Sequence, residues 1–176
     1  MTKEPKGSLP AEIVPEGAFA EQSFLVEKGF GEPSGERLWL FPEEALFLAE
    51  KGDISLEKDK ELTPSKARDF FAEHHPGFLS RYVAYKDLRI RGFVVKSGAK
   101  YGADFRVYEK GVKPSRDSTR EHSKYLLWIL GQSDKIEMKT LVGINRVAHS
   151  VKKRLILAIV DKEMDVTYIQ AARLTL

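Results

Sequence analysis

The chain has 176 residues, 42% of them hydrophobic, with 29 Lys+Arg against 26 Asp+Glu, a balance that fits a soluble globular protein and excludes a wholly disordered one. No apolar run approaches the roughly 20 residues a bilayer span needs, and the opening MTKEPKGSLPAEIVPEG has no apolar segment of the kind a secretory signal carries, so cytoplasm is the expected compartment. Cysteine is absent, which excludes disulfides, thiolate nucleophiles and Cys-ligated zinc.

Residues 1–22 are rich in Pro, Gly and Glu, show little periodicity and read as a partly mobile segment. SFLVE (23–27) reads as a short strand, Gly29 to Gly35 as a turn, and LWLF (38–41) as a second strand. Pro42 suits a first helical turn, so 43–51 is a helix with Gly52 to stop it. Thr63-Pro64 is an N-cap followed by proline, opening a helix over 65–74 that ends before Pro76.

A helix from Phe78 to about Arg91 follows, with Leu79, Tyr82, Val83 and Leu88 as its apolar stripe and Gly92 as its stop. Three strands come next, over 93–96, 103–109 and 124–130. Met138, Leu141, Val142, Ala148 and Val151 recur at helical spacing, so 136–152 is a helix. LILAIV (155–160) reads as a central strand buried on both faces, and 166–174 as a last strand. The expected class is α/β, with an α+β N-terminal domain over 1–80 and, over 81–176, a C-terminal mixed β-sheet flanked by helices.

Charge divides at the same boundary. Residues 1–80 hold 9 Lys+Arg and 16 Asp+Glu, a net of −7, whereas residues 81–176 hold 20 and 10, a net of +10. A half with that excess has the electrostatic footprint of a polyanion binder, while the acidic half suits docking or assembly. Asn and Gln total only four, among abundant Lys and Glu, which is the composition of a thermophile.

Several motifs have ordinary readings. His74-His75 sit at a helix end and diverge, so they make a poor metal site. Gly29, Gly31 and Gly35 do not keep the dinucleotide spacing and read as a turn. Asp134, Glu137 and Lys139 echo an acidic metal site but open a helix, where the dipole favours acids anyway. Tyr108, His122 and Lys153 are more informative together. If 103–109 and 124–130 form a hairpin, Tyr108 and His122 fall at one end of a sheet, and the topology decides whether Lys153 joins them.

The stretches YVAYKDLRIRGFVVKSGAKYGADFRVYEKG (82–111), EHSKYLL (121–127) and RVAHSVKKRLILAIV (146–160) resemble the catalytic domain of archaeal tRNA-splicing endonucleases. LWLFPEEALFLAEKG (38–52) resembles the N-terminal domain of that family more loosely. The resemblance implies a restriction-endonuclease-like catalytic domain and an RNA endonuclease that excises introns from precursor tRNA at bulge–helix–bulge sites. It places the three catalytic positions on Tyr108, His122 and Lys153, whereas the family's structural subunits lack them; a non-catalytic RNA-binding subunit is the alternative.

The implied chemistry is attack by the adjacent 2′-hydroxyl, independent of metal and of any cofactor, leaving a 2′,3′-cyclic phosphate and a 5′-hydroxyl. His122 suits the acid, with an ordinary pKa near 6.5. Lys153 suits the cation facing the phosphorane. Tyr108 either takes the proton as base, helped by Lys153 or Arg106, or only orients the nucleophile. Arg146 is implied to stack on a bulge base, with Lys152 close by as an RNA contact. The 111–120 connection looks longer than in compact members, and its Lys113, Arg116 and Arg120 are candidate RNA contacts. Two cuts per intron imply a homotetramer, or a heterotetramer with a structural subunit. The acidic turn Asp161, Glu163 and Asp165 is either an insert into a neighbour's basic cleft or a solvated tip, and 166–174 is a candidate edge for pairing across a dimer.

Overall fold

Alternating small and branched apolar residues build the first sheet. In the computed structural model, which describes residues 7–21, 24–111 and 123–173, β1 (Leu9–Val14) and β2 (Gly17–Glu21) form an antiparallel hairpin. Ala11, Ile13, Ala18 and Ala20 all point to one buried face. This hairpin is a correction to the sequence reading of 1–22. β3 (Glu32–Ser34), β4 (Arg37–Leu40), β5 (Ile54–Glu57) and β6 (Glu61–Leu62) complete a mixed sheet of order β3-β4-β2-β1-β5-β6, with β1 and β5 parallel. Residues Phe24–Glu27 are a single helical turn, α1, rather than a strand: Phe24 and Leu25 are adjacent and both buried, which an alternating strand on one face does not allow.

Two helices pack within this part of the chain. α2 (Pro42–Lys51) begins at its proline, ends at Gly52, and buries Ala45, Leu46 and Leu48. α3 (Pro64–His74) is capped by Thr63, whose hydroxyl oxygen accepts from the Lys66 N–H at 3.4 Å. The histidine pair has structural partners. His74 Nδ1 lies 2.7 Å from the Phe70 carbonyl and His75 Nε2 lies 2.6 Å from the Pro15 carbonyl.

The chain divides into two compact units, 1–79 and 80–176. α4 (Phe78–Ile90) leads into the second, which holds β7 (Val94–Ser97), β8 (Phe105–Tyr108), β9 (Tyr125–Gly131), α5 (Met138–Ser150), β10 (Arg154–Val160) and β11 (Val166–Ala171). Their order is β11-β10-β9-β8-β7; only β9 and β10 are parallel, joined through α5. The molecule is therefore α+β with two mixed sheets and helices against them. β10 lies inside its sheet as LILAIV predicts, and β8 and β9 do form the antiparallel pair.

Strand alternation divides the second sheet into two faces. Leu126 and Trp128 of β9 pair with Leu155 and Leu157 of β10 and meet Leu141, Ile144 and Ala148 of α5. The opposite face carries Phe105, Val107, Leu127 and Ile156 towards α4, where the rings of Tyr85 and Phe105 lie 5.7 Å apart. Of the predicted α4 stripe, Tyr82 and Leu88 are buried; Leu79 is exposed and Tyr85 takes the central place. The Tyr168 hydroxyl donates to Asp87 at 2.8 Å and ties β11 to α4. Burial and that carboxylate push the Tyr168 phenol well above the ordinary tyrosine range, so it stays a donor. The Asp134 carboxylate accepts the Gly131 N–H at 2.7 Å and closes the turn after β9.

Candidate active site

Lys153 is delivered by the end of α5. Lys152 adopts a left-handed backbone, φ 55. Its N–H donates to the His149 carbonyl at 3.0 Å, and the Lys153 N–H donates to the Ala148 carbonyl at 2.8 Å. This is the Schellman closure of a helix, whose left-handed position usually holds glycine. A lysine there costs roughly 1 kcal/mol of backbone strain. The closure turns the chain sharply, so that Lys153 stands immediately before β10.

Three strand ends meet at this point. The Lys124 N–H donates to the Val107 carbonyl at 2.9 Å, and the Arg154 N–H donates to the Lys124 carbonyl at 3.0 Å. The end of β8, the entry to β9 and the entry to β10 are thereby stitched together. Tyr108 is the last residue of β8 and is 7% exposed. It is two residues beyond Arg106, which pairs with Leu126; Lys153 is two residues before Leu155, which also pairs with Leu126. Alternation thus puts Tyr108 and Lys153 on the α5 face, at one end of the sheet, on the two strands that flank β9.

The Lys153 ammonium donates to the Ser123 carbonyl at 2.6 Å and lies 5.6 Å from the centre of the Tyr101 ring. Ser123 is buried and directly follows His122 in the chain. His122 itself, with Lys113, Arg116 and Arg120, lies outside the described residues. Burial lowers the Lys153 pKa; Tyr101 acts in the opposite sense, and Lys100 and Arg106 lower it further. The face is strongly cationic. Lys96 of β7, 5% exposed, is the cross-strand neighbour of Arg106.

Tyr101 comes from the turn between β7 and β8. Ala99–Tyr101 is one 3₁₀ turn, closed by the Tyr101 N–H to the Gly98 carbonyl at 2.8 Å. The backbone packs so closely that a Cβ on Gly98 would lie 2.7 Å from the Ala103 carbonyl oxygen and 2.8 Å from the Phe105 carbonyl carbon. Glycine is therefore required at this position for the turn to close.

The other predicted residues are dispersed. Arg146 is exposed on α5 and, with Val142, Asn145 and Arg173, lines a recess of about 400 Å³. Lys152 is exposed beside Lys153. In the β10–β11 turn the Asp161 carboxylate accepts the Asp165 N–H at 2.9 Å and so shapes the turn, while Glu163 and Asp165 are exposed at its tip. β11 is an edge strand. Sequence reading did not single out Lys96, Tyr101 or Arg173. Period-two parity with Arg106 was the available signal for Lys96, and the bracketing Gly98 and Gly102 were the signal for Tyr101.

Residues 78–168 match the family described as tRNA intron endonuclease, catalytic C-terminal domain. Residues 7–67 match the tRNA intron endonuclease N-terminal domain. A tRNA-splicing endonuclease of Pyrococcus abyssi is 40% identical over 142 residues, covering 80% of this chain and 79% of that protein. One from Methanothermobacter thermautotrophicus is 41% identical over 140 residues, 79% of each. One from Methanococcus maripaludis is 38% identical over 174 residues, 96% of each.

Proposed function

The chain belongs to the tRNA intron endonuclease family, and from that membership we propose that it is a catalytic subunit cutting precursor tRNA at bulge–helix–bulge sites through Tyr108, His122 and Lys153. One observation supports the assignment most: Tyr108 and Lys153 share one face at one end of the sheet, on the two strands that flank β9, and Lys153 binds the Ser123 carbonyl there. His122 precedes Ser123 in the chain.

The reaction needs a base for the 2′-hydroxyl, an acid for the leaving 5′-oxygen and a cation for the phosphorane. His122 serves as the acid, a role that the ordinary imidazole pKa of about 6.5 suits. Lys153 places a compact charge where negative charge grows. Tyr108 receives or orients the 2′-hydroxyl; its ordinary pKa near 10 calls for neighbouring cations, and Lys153 and Arg106 lie on its face. The 2′-oxygen forms a bond to phosphorus as the 5′-oxygen bond breaks, leaving the cyclic phosphate and a 5′-hydroxyl. Incubation of the chain with a bulged RNA in excess EDTA is expected to give those ends. A strict Mg²⁺ requirement, or 3′-hydroxyl and 5′-phosphate ends, would overturn the mechanism; binding without cleavage would mark a non-catalytic subunit.

The protein reads shape and splayed nucleotides rather than a duplex sequence. Arg146 and Arg173 around the recess suit the face of an unstacked base, and Lys113, Arg116, Arg120 and Lys152 suit phosphates. Binding should therefore weaken steeply with salt, on the order of a thousandfold between about 50 and about 200 mM for roughly six phosphate contacts. A titration at several salt concentrations checks this, and a flat response would contradict it. Two cuts require two sites, hence two catalytic copies in a tetramer. Glu163 and Asp165 at the exposed turn, the free edge of β11 and the acidic 1–80 domain are the surfaces for assembly; 81–176 is the catalytic domain.

A further inference from the structure

A lysine ammonium is hard to aim. It sits on a flexible four-carbon stem and offers three rotatable donors. Lys153 is nevertheless held twice, by the Ser123 carbonyl at 2.6 Å and by the Tyr101 ring at 5.6 Å from its centre. An aromatic face attracts an ammonium within about 6 Å. The ring is fixed in turn. It packs against the cluster of Ala103, Leu126, Ala148 and Leu155, and its backbone is closed onto Gly98. The same ring draws the Lys100 ammonium to 4.9 Å, so one aromatic gathers two cations beside the site.

Resting on the role proposed above for Lys153, we infer that Tyr101 is a positioning residue for RNA cleavage: its ring and the Ser123 carbonyl take two of the directions open to the Lys153 ammonium and leave the third for the phosphate. The charged groups facing Lys153 among the described residues are Lys100 of the 3₁₀ turn and Arg106 of β8. Both oppose its protonation, as burial does, whereas the aromatic face that attracts the ammonium favours its charged form. Loss of the ring therefore misdirects the ammonium and lets it lose its proton at a lower pH.

The test measures single-turnover cleavage of a bulged RNA against pH, RNA binding and thermal stability. Tyr101→Leu is expected to slow cleavage roughly tenfold to a hundredfold, with binding within about threefold of wild type and the alkaline fall in rate moved to lower pH. Tyr101→Phe keeps the ring and should stay within about threefold of wild type at neutral pH. Adding Tyr101→Leu to Lys153→Ala should cost nothing more. Should Tyr101→Leu not fold, Tyr101→Met carries the same comparison. A Tyr101→Leu enzyme that cleaves as wild type, a Tyr101→Phe enzyme as slow as Tyr101→Leu, an unmoved alkaline limb, or an equal further loss in the Lys153→Ala background would overturn the inference. If Lys153→Ala itself cleaves as wild type, it is the proposed role of Lys153 that fails; if Lys153→Ala is slow and Tyr101→Leu is not, only the positioning role fails.

Discussion

Lys153→Ala is expected to lower the rate of RNA cleavage by roughly a hundredfold to a thousandfold, the usual loss when one preorganised charge is removed from a transition state. RNA binding should change little, because the ammonium contributes one charge among the cations of a half that carries a net +10. The distinction matters: a residue that only binds would raise KM and leave kcat alone. The pH dependence has a definite sign. Burial is the largest influence on Lys153 and lowers its pKa, so the required ammonium is lost on raising the pH sooner than an exposed lysine near 10.4 would be. The wild-type rate should therefore begin to fall below that value, and Lys153→Arg, which does not titrate there, should not show that limb. Parallel measurement of single-turnover rates and binding across pH decides the matter; an unaltered rate for Lys153→Ala removes the ammonium from the chemistry.

Phe105→Ala should destabilise the 80–176 unit by about 3–5 kcal/mol. Phe105 is fully buried. Its ring lies 5.7 Å from that of Tyr85 and 5.7 Å from the Arg81 guanidinium, and its backbone is packed against Gly98. Truncation removes the ring from the α4 face of the sheet and leaves a cavity between helix and strand. Denaturant titration of the full chain reads the loss, and a change under about 1 kcal/mol would mean that the core closes over the gap.

The parts of this fold that the sequence displays are those with strong local chemistry. Thr63-Pro64 marks the start of α3, and LILAIV is best read as an interior strand of a sheet with both faces covered. The sequence leaves the pairing of β8 with β9 as a condition; the structure meets it, and Tyr108 falls at the end of the sheet. The β1–β2 hairpin was hidden because its buried positions are largely alanine, whose weak hydropathy does not stand out among Pro10, Pro15 and the glutamates. Phe24–Glu27 was misread because four residues do not distinguish a period of two from one of 3.6.

The site shows the same division. Tyr108 lies on a strand whose parity can be counted. Lys153 depends on a left-handed lysine at 152, a conformation the residue type argues against. Tyr101 reaches Lys153 from the turn at the opposite end of its hairpin, a contact between residues 52 positions apart that no local pattern encodes.

The helix closure at Lys152 also says what evolution can alter here. Each residue added to or removed from α5 would rotate its end by about 100° and carry the following side chain to another side of the helix. Substitutions on the outer surface of α5 leave that geometry intact; insertions and deletions do not. The length of α5 is thus tied to the direction of the ammonium that follows it, whereas a substitution on its outer surface acts only through the side chain it changes.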